Sequence, residues 1–501
     1  MKTYTDFCNQ IKNNKTTCVQ EATFFLENIE KNKHLNSFLQ INSDEVLNAA
    51  KESDKNFASG KPRKLEGMII GIKDNISVKG FKATCGSKML ENYQPVFDAT
   101  VIKKIKDAGG IIIGKTNMDE LAMGSSNETS YFGGCKNSVS NDYVSGGSSG
   151  GSAVAVAASQ SHTSLGTDTG GSIRQPASFC GTVGFKPTYG RISRYGVVAY
   201  ASSLDHIGTF SANIEDTSLL FDVISGVDEF DSTTANLPAT NTYEKIDEHI
   251  PTKFTVGVLP DNILQKCSED VLTVYSKQLE KLKLLGADFY TLDFNFIDVC
   301  VPTYVVLSTS EGSSNLSRLD GIRYGNRFSA DGHCEHSFHA RHCEQKVWQS
   351  NHSSTEVATP TARNDANSFV AANRGDGFGL EVKRRLILGT YLLSNGNSKD
   401  YFSKAKKVRT VIKKNIDEAF SKVDLFFLPT TSTVAFKSNE KLDPVSMYLS
   451  DFFTTSANLA GIPAISIPVG TGKNNLPIGM QLQANSFEEE KLFRFAKQLF
   501  F

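Results

Sequence analysis

Short apolar runs alternate with helix-like stretches across residues 65–210. The runs lie at 68–72, 111–113 and 163–165, and the stretches at 98–105 and 153–158 read as helices. The texture resumes with buried-strand patterns at 254–259 and 423–428 and with helices near 268–284, 378–394 and 400–420. Strands alternating with helices predict an α/β core. Residues 1–60 differ. They are polar with helical spacing, as at 22–29, and predict an N-terminal helical region. No Gly/Ser linker divides the chain and no internal repeat is visible, so the pattern predicts one domain over 1–501.

One segment breaks this texture. Residues 329–372 hold His333, His336, His339, His342 and His352, together with Cys334, Cys343 and the only tryptophan, Trp348. The rest is polar and lacks a clear period. Imidazole and thiol groups crowded between 333 and 343 suit a metal site. The composition also suits a solvated surface insertion, or a local frame error in the deduced sequence. The polar surroundings favour the insertion, and no metal ligand is assigned.

Composition narrows the function classes. A chain of 501 residues with 39% hydrophobic content can bury a large core. A net charge of −1 and a pI near 6.8 exclude a global basic field for nucleic acid, so RNA contact would need a local patch or a partner. The nine cysteines lack framework spacing and predict free thiols in a reducing compartment. Residues 1–7 show neither an apolar targeting core nor an arginine-rich presequence. No run approaches the roughly 18 apolar residues of a membrane span. A soluble, cytoplasmic protein without membrane contact is expected.

The candidate chemistry is acyl transfer. Ser148 sits in Gly146-Gly147-Ser148-Ser149-Gly150-Gly151-Ser152, and Ser172 in Asp168-Thr169-Gly170-Gly171-Ser172-Ile173-Arg174. Glycine lets the backbone approach a substrate and turns N–H groups toward it. The first run matches the G-x-S-x-G elbow, but residues 141–145 make a poor strand, and His162, His206 and His249 have no distinguishing context. It opens a helix, as a phosphate loop does, yet lacks the Gly-Lys-Ser/Thr ending. A flexible linker is the bland alternative. Ser172 follows a plausible strand, with N–H groups of 169–172 free to face an oxyanion; an ordinary turn is its alternative. Asp168 and Arg174 flank it and can pair. Lys73 closes the run 68–72. Desolvation would make it a neutral base, or it snorkels to water as a plain strand-end lysine.

Together with 71–75, 118–126, 166–189, 311–316, 381–385 and 458–463, these stretches give a chain that resembles the amidase signature family over most of its length. Thr169, Gln175 and 186–191 place the resemblance in the branch of the aspartyl/glutamyl-tRNA(Asn/Gln) amidotransferases, among their amidase-type chains. The resemblance implies an α/β/α sandwich, with a large central mixed sheet surrounded by helices. It implies Ser172 as nucleophile, Ser148 as a bridging serine after a cis peptide bond, and Lys73 as base. It implies an oxyanion hole of Thr169, Gly170, Gly171 and Ser172. Glutamine would be gripped by Arg384 or Arg385 and by Asp451, beside Met123, Gly124, Ser125 and Tyr304. The implied activity is glutamine hydrolysis, supplying ammonia to amidate Glu-tRNA(Gln) or Asp-tRNA(Asn). No cofactor is implied in this chain; ATP and Mg²⁺ would be used by a partner that also holds most of the misacylated tRNA. The implied partners are subunits B and C. Two rivals stand beside this: an independent amidase, and a non-catalytic assembly protein. The segment 329–372 is longer than the family pattern and adjoins the arginine motif.

Overall fold

Eleven strands join in one mixed sheet in a computed structural model of the chain, which describes residues 1–294, 296–328, 334–335, 360–440 and 444–500. The strands are β1 (Phe38–Ile41), β2 (Ile69–Lys73), β3 (Ile111–Thr116), β4 (Thr163–Asp168), β5 (Val183–Lys186), β6 (His206–Ser211), β7 (Phe254–Val258), β8 (Ala287–Thr291), β11 (Leu425–Pro429), β12 (Ala464–Thr471) and β13 (Pro477–Gln483). A separate hairpin joins β9 (Arg327–Phe328) to β10 (Cys334–Glu335). The large sheet runs β1-β3-β2-β4-β6-β5-β12-β13-β11-β7-β8. Pairs β3–β2, β2–β4, β11–β7 and β7–β8 are parallel, and the others antiparallel. Helices cover the sheet, so every residue of β2, β4, β11 and β13 is buried. Burial on both faces explains the continuous apolar runs of β2 and β11. It also explains how β4 escapes that pattern. Its Ser164 hydroxyl donates to the Ser152 carbonyl at 2.7 Å, so a polar side chain is buried there with a partner.

The N-terminal region contains the helices Tyr4–Lys12, Cys18–Lys31 and Ser43–Ala58, each begun by a capping side chain, from Thr3, Thr17 and Asn42. A helical reading of 1–60 is nevertheless incomplete. β1 lies between the second and third helices and pairs antiparallel with β3. It is a four-residue edge strand whose partner is remote in sequence, so no local period reveals it.

Part of the segment 329–372 falls within the described residues. From 360 onward it is helical, within Pro360–Gly377, and Cys334 belongs to β10. His333, His336, His339, His342, His352, Cys343 and Trp348 lie outside the described residues. Among the described residues, no group of three or more His, Cys, Asp or Glu could hold a metal ion, and no helix is long and apolar enough to cross a membrane.

This topology places the chemistry. Neighbouring parallel strands β3, β2 and β4 end at Thr116, Lys73 and Asp168 on one side of the sheet. The region beyond the carboxyl ends of such strands is where α/β folds receive ligands.

Candidate active site

Lys73 is the last residue of β2 and is fully buried. Its Nζ lies 2.7 Å from Ser148 Oγ, 2.7 Å from Ser149 Oγ and 3.3 Å from the Thr167 carbonyl of β4. Burial pulls the amine down to about 7, against the raising charges of Asp119, Asp168 and Asp205. The hydrogens can be counted. Ser149 donates its own proton to the Thr167 carbonyl at 3.1 Å, so toward Nζ it can only accept. A neutral amine therefore gives one hydrogen to Ser149 and one to Thr167. Its lone pair is left for the Ser148 hydroxyl.

The serine loop is held by its surroundings. The bond from Gly147 to Ser148 is cis. The Gly147 N–H donates to Gln175 Oε1 at 3.0 Å, and the Asp119 N–H to the Ser148 carbonyl at 3.2 Å. A Cβ on Gly147 would fall 1.9 Å from Asp119 Oδ2, so only glycine fits there. Gly150 then opens the helix Gly150–Ala157.

Ser172 stands on the turn between β4 and the helix Arg174–Cys180, and is 6% exposed. The turn is locked from below. Arg174, fully buried, donates to both Asp168 carboxylate oxygens at 3.1 Å, to the Thr454 carbonyl at 2.8 Å, to Asn458 Oδ1 at 2.6 Å and to Gln481 Oε1 at 3.2 Å. Burial alone would raise the Asp168 carboxyl, but the Arg174 charge and hydrogen bonds hold it below the usual carboxylate range. Thr169 donates to Asp205 Oδ1 at 2.6 Å, and the Gly170 carbonyl accepts from Thr454 Oγ1 at 2.7 Å. Gly171 has φ +152°, and a Cβ there would lie 2.3 Å from Thr454 Oγ1.

A polar wall faces this turn. The Tyr304 ring would be 2.7 Å from a Cβ on Gly170, and Asp451 Oδ1 would be 2.8 Å from one on Gly171. Asp451 Oδ2 accepts from Ser125 Oγ at 2.9 Å, while Oδ1 has no partner among the described residues. Burial pushes the Asp451 carboxyl up to about 7, the Ser125 hydroxyl opposing and the Asp168 charge adding. The helix Leu380–Leu393 separates its two arginines. Arg385 is buried, donating to Glu381 Oε1 at 2.6 Å and to Tyr200 OH at 3.3 Å, with its guanidinium 5.2 Å from the Tyr448 ring centre. Arg384 keeps 36% of its side chain exposed in its pair with Glu381. Met123 and Gly124 are buried; Met123 packs toward Gly312, and Gly124 leaves room for the Asp119 carboxylate.

A family model described as Amidase matches residues 22–493. The chain belongs to the Amidase family. It is 46% identical over 468 residues to the A subunit of the glutamyl-tRNA(Gln) amidotransferase of Prochlorococcus marinus, an alignment covering 93% of this chain and 89% of that relative. It is 42% identical to the same-named protein of Trichodesmium erythraeum, covering 99% and 97%. The crystal structure of the glutamyl-tRNA(Gln) amidotransferase A subunit from Thermotoga maritima superposes with a TM-score of 0.74 at 36% identity, covering 96% of this chain and 93% of that one. Peptide amidase from Stenotrophomonas maltophilia, at 23% identity and TM-score 0.77, shares the fold, covering 99% of this chain and 95% of that one.

Within this Amidase chain the predicted residues gather in two groups: Lys73 with Ser148, and Tyr304, Ser125 and Asp451 around the Gly170–Ser172 turn. Arg385 faces this interior and Arg384 its rim. Sequence reasoning assigned no role to Ser149, Asp119 or Tyr200. Ser149 differs from Ser148 only by one place in the same run. Asp119 lies in the stretch 118–126 singled out in the sequence, but its close approach to Gly124 and Gly147 exists only in the folded chain.

Proposed function

We propose that this chain is the glutamine-hydrolysing component of a tRNA-dependent amidotransferase, acting as one amidase-signature domain over 1–501. The observation that carries the reading is the Lys73 amine. It is buried, pulled down to about 7, lies 2.7 Å from Ser148 Oγ and, when neutral, has one lone pair left for that hydroxyl. Lys73 takes the Ser148 proton, Ser148 takes the proton of Ser172, and Ser172 Oγ attacks the side-chain amide carbon of glutamine. N–H groups of Thr169, Gly170, Gly171 and Ser172 receive the oxyanion. The relay then reverses, protonating the departing nitrogen as ammonia, and water cleaves the γ-glutamyl ester to glutamate.

Arg385 holds the α-carboxylate of glutamine and Asp451 its α-ammonium, a pairing that suits a shielded zwitterion. Met123, Gly124, Ser125 and Tyr304 line the pocket. Subunits B and C are the partners. They hold misacylated Glu-tRNA(Gln) or Asp-tRNA(Asn), use ATP and Mg²⁺ to activate its carboxylate, and receive the ammonia in the cytoplasm. The names of the 46% and 42% identical relatives support this reading over an independent amidase. The test is glutaminase activity and Gln-tRNA formation with and without subunits B and C. Strong hydrolysis of unrelated amides with no amidotransfer in the complex would replace it with the independent amidase. Full activity of Ser172→Ala would establish a non-catalytic role instead.

A further inference from the structure

Residues 118–126 touch both groups of the site. Asp119 accepts from the N–H groups of Asn127 (2.9 Å) and Thr129 (3.3 Å) and abuts Gly147 of the serine loop. The next two residues after Glu120 are left-handed, Leu121 at φ 52° and Ala122 at φ 61°, which is uncommon for side chains with a Cβ. The Leu121 N–H is satisfied by the Cys85 carbonyl at 2.8 Å. The reversal brings Met123, Gly124 and Ser125 back into the site, where Ser125 bonds Asp451 and its carbonyl accepts from Gln175 Nε2 at 2.7 Å.

Glu120 points elsewhere and has no part in the chemistry above. It is 3% exposed. Its Oε1 accepts from Ser87 Oγ at 2.6 Å, and its Oε2 from the Gly379 N–H at 2.8 Å. Gly379 is the N-cap of the helix Leu380–Leu393 and has no side chain to cap it. Glu120 therefore supplies the cap from a remote segment, where a carboxylate also suits the helix dipole. A Cβ on Gly379 would lie 2.4 Å from Oε2, so the contact is close as well as polar. Farther along the same helix, Gly389 abuts the Thr309 carbonyl of the helix Ile297–Asn315, which carries Tyr304. Glu120 thus holds the start of the helix and the helix Ile297–Asn315 packs along it, with Arg385 between Gly379 and Gly389.

We infer that Glu120 is a positioning residue for glutamine: it sets the height of the helix Leu380–Leu393, and so of the Arg385 guanidinium, against the Ser125–Asp451 pair. The inference rests on the reading of the site as a glutamine site. Burial pushes the Glu120 carboxyl up to about 7, with the Ser87 and Gly379 hydrogen bonds opposing, so the contact works close to its own titration. Misplacing a binding group by about 1 Å costs on the order of 10²-fold at worst, and partial release costs less.

The experiment uses the complex with subunits B and C. Glu120→Ala is expected to raise KM for glutamine about tenfold while changing kcat less than about threefold, the signature of lost binding. Glu120→Gln should restore KM, because its carbonyl still accepts from Gly379 and its amide donates to Ser87. Gly379→Ala crowds the same contact from the other side and should raise KM as well. Amidation driven by added ammonia should stay at the wild-type rate, which reports an intact assembly. Unchanged KM in both Glu120→Ala and Gly379→Ala overturns the inference. So does a fall in kcat at constant KM, or a Glu120→Gln as impaired as Glu120→Ala. If Glu120→Ala does not assemble, Gly379→Ala and Ser87→Ala decide by the same criteria. A wild-type complex that hydrolyses no glutamine would sink the glutamine reading itself, a separate result.

Discussion

The lysine–serine half of the site stands on the ends of β2 and β4, whereas the arginine–aspartate half hangs on helices and turns from beyond residue 300. The first closes on itself: sheet hydrogen bonds, glycines whose missing Cβ atoms admit Asp119 and Thr454, and the Arg174 side chain beneath the Ser172 turn hold it. The second keeps an open acceptor: Glu381 holds Arg385 and Ser125 holds Asp451 Oδ2, while Asp451 Oδ1 has no partner among the described residues. A closed part suits chemistry, where small displacements are costly. A part with an open acceptor suits binding, where the substrate itself completes the network.

The sharpest way to break this division is at the reacting hydroxyl. Ser172→Ala should lower glutamine hydrolysis by about 10⁴-fold or more, and intact-mass measurement after treatment with a reactive glutamine analogue should show no adduct. Arg385→Ala should act on the other half alone. KM for glutamine should rise about 10²-fold while the adduct still forms at high analogue concentration; a loss mainly in kcat would erase the distinction between the halves. Ser149→Ala should lower plateau kcat about tenfold by freeing the Lys73 amine to rotate. The pH profile sharpens this further. Lys73 must be neutral to accept a proton, so kcat should rise with pH and level off above about 7. Removing the Ser149 acceptor disfavours the charged amine, so that limb should move to lower pH. A flat kcat across this range would rule Lys73 out as the base. Smallest is Arg384→Ala, whose partly exposed pair with Glu381 should be worth less than about threefold in KM.

The same division governs what could be read in advance. β2 and β11 are legible because burial on both faces demands apolar runs, and the glycine loops because no other residue fits them. The Asp168–Arg174 pair is local and was foreseeable. By contrast, which arginine of 381–385 turns inward depends on Tyr200 and Tyr448, contributed by distant segments. β1 is hidden for the same reason, since only β3 makes it a strand. Ser149 is hidden because its role is a matter of proton counting around a lysine met only in the folded chain. Residues 360–372 contain few large apolar residues, so no period in the sequence marks their helix.

The buried guanidinium of Arg174 has a consequence for biosynthesis. Its Thr454 partner lies 280 residues further along the chain, its Asn458 and Gln481 partners further still. At roughly 5–20 residues per second, ribosomes need on the order of tens of seconds to cover that gap. Until then Asp168 is the only one of its side-chain partners that has been made, and enclosing the charge would be unfavourable. The Gly170–Ser172 turn therefore gains its full set of supports only when the chain is nearly complete. If the turn carries the proposed glutamine hydrolysis, that activity should appear only after synthesis of the chain is finished.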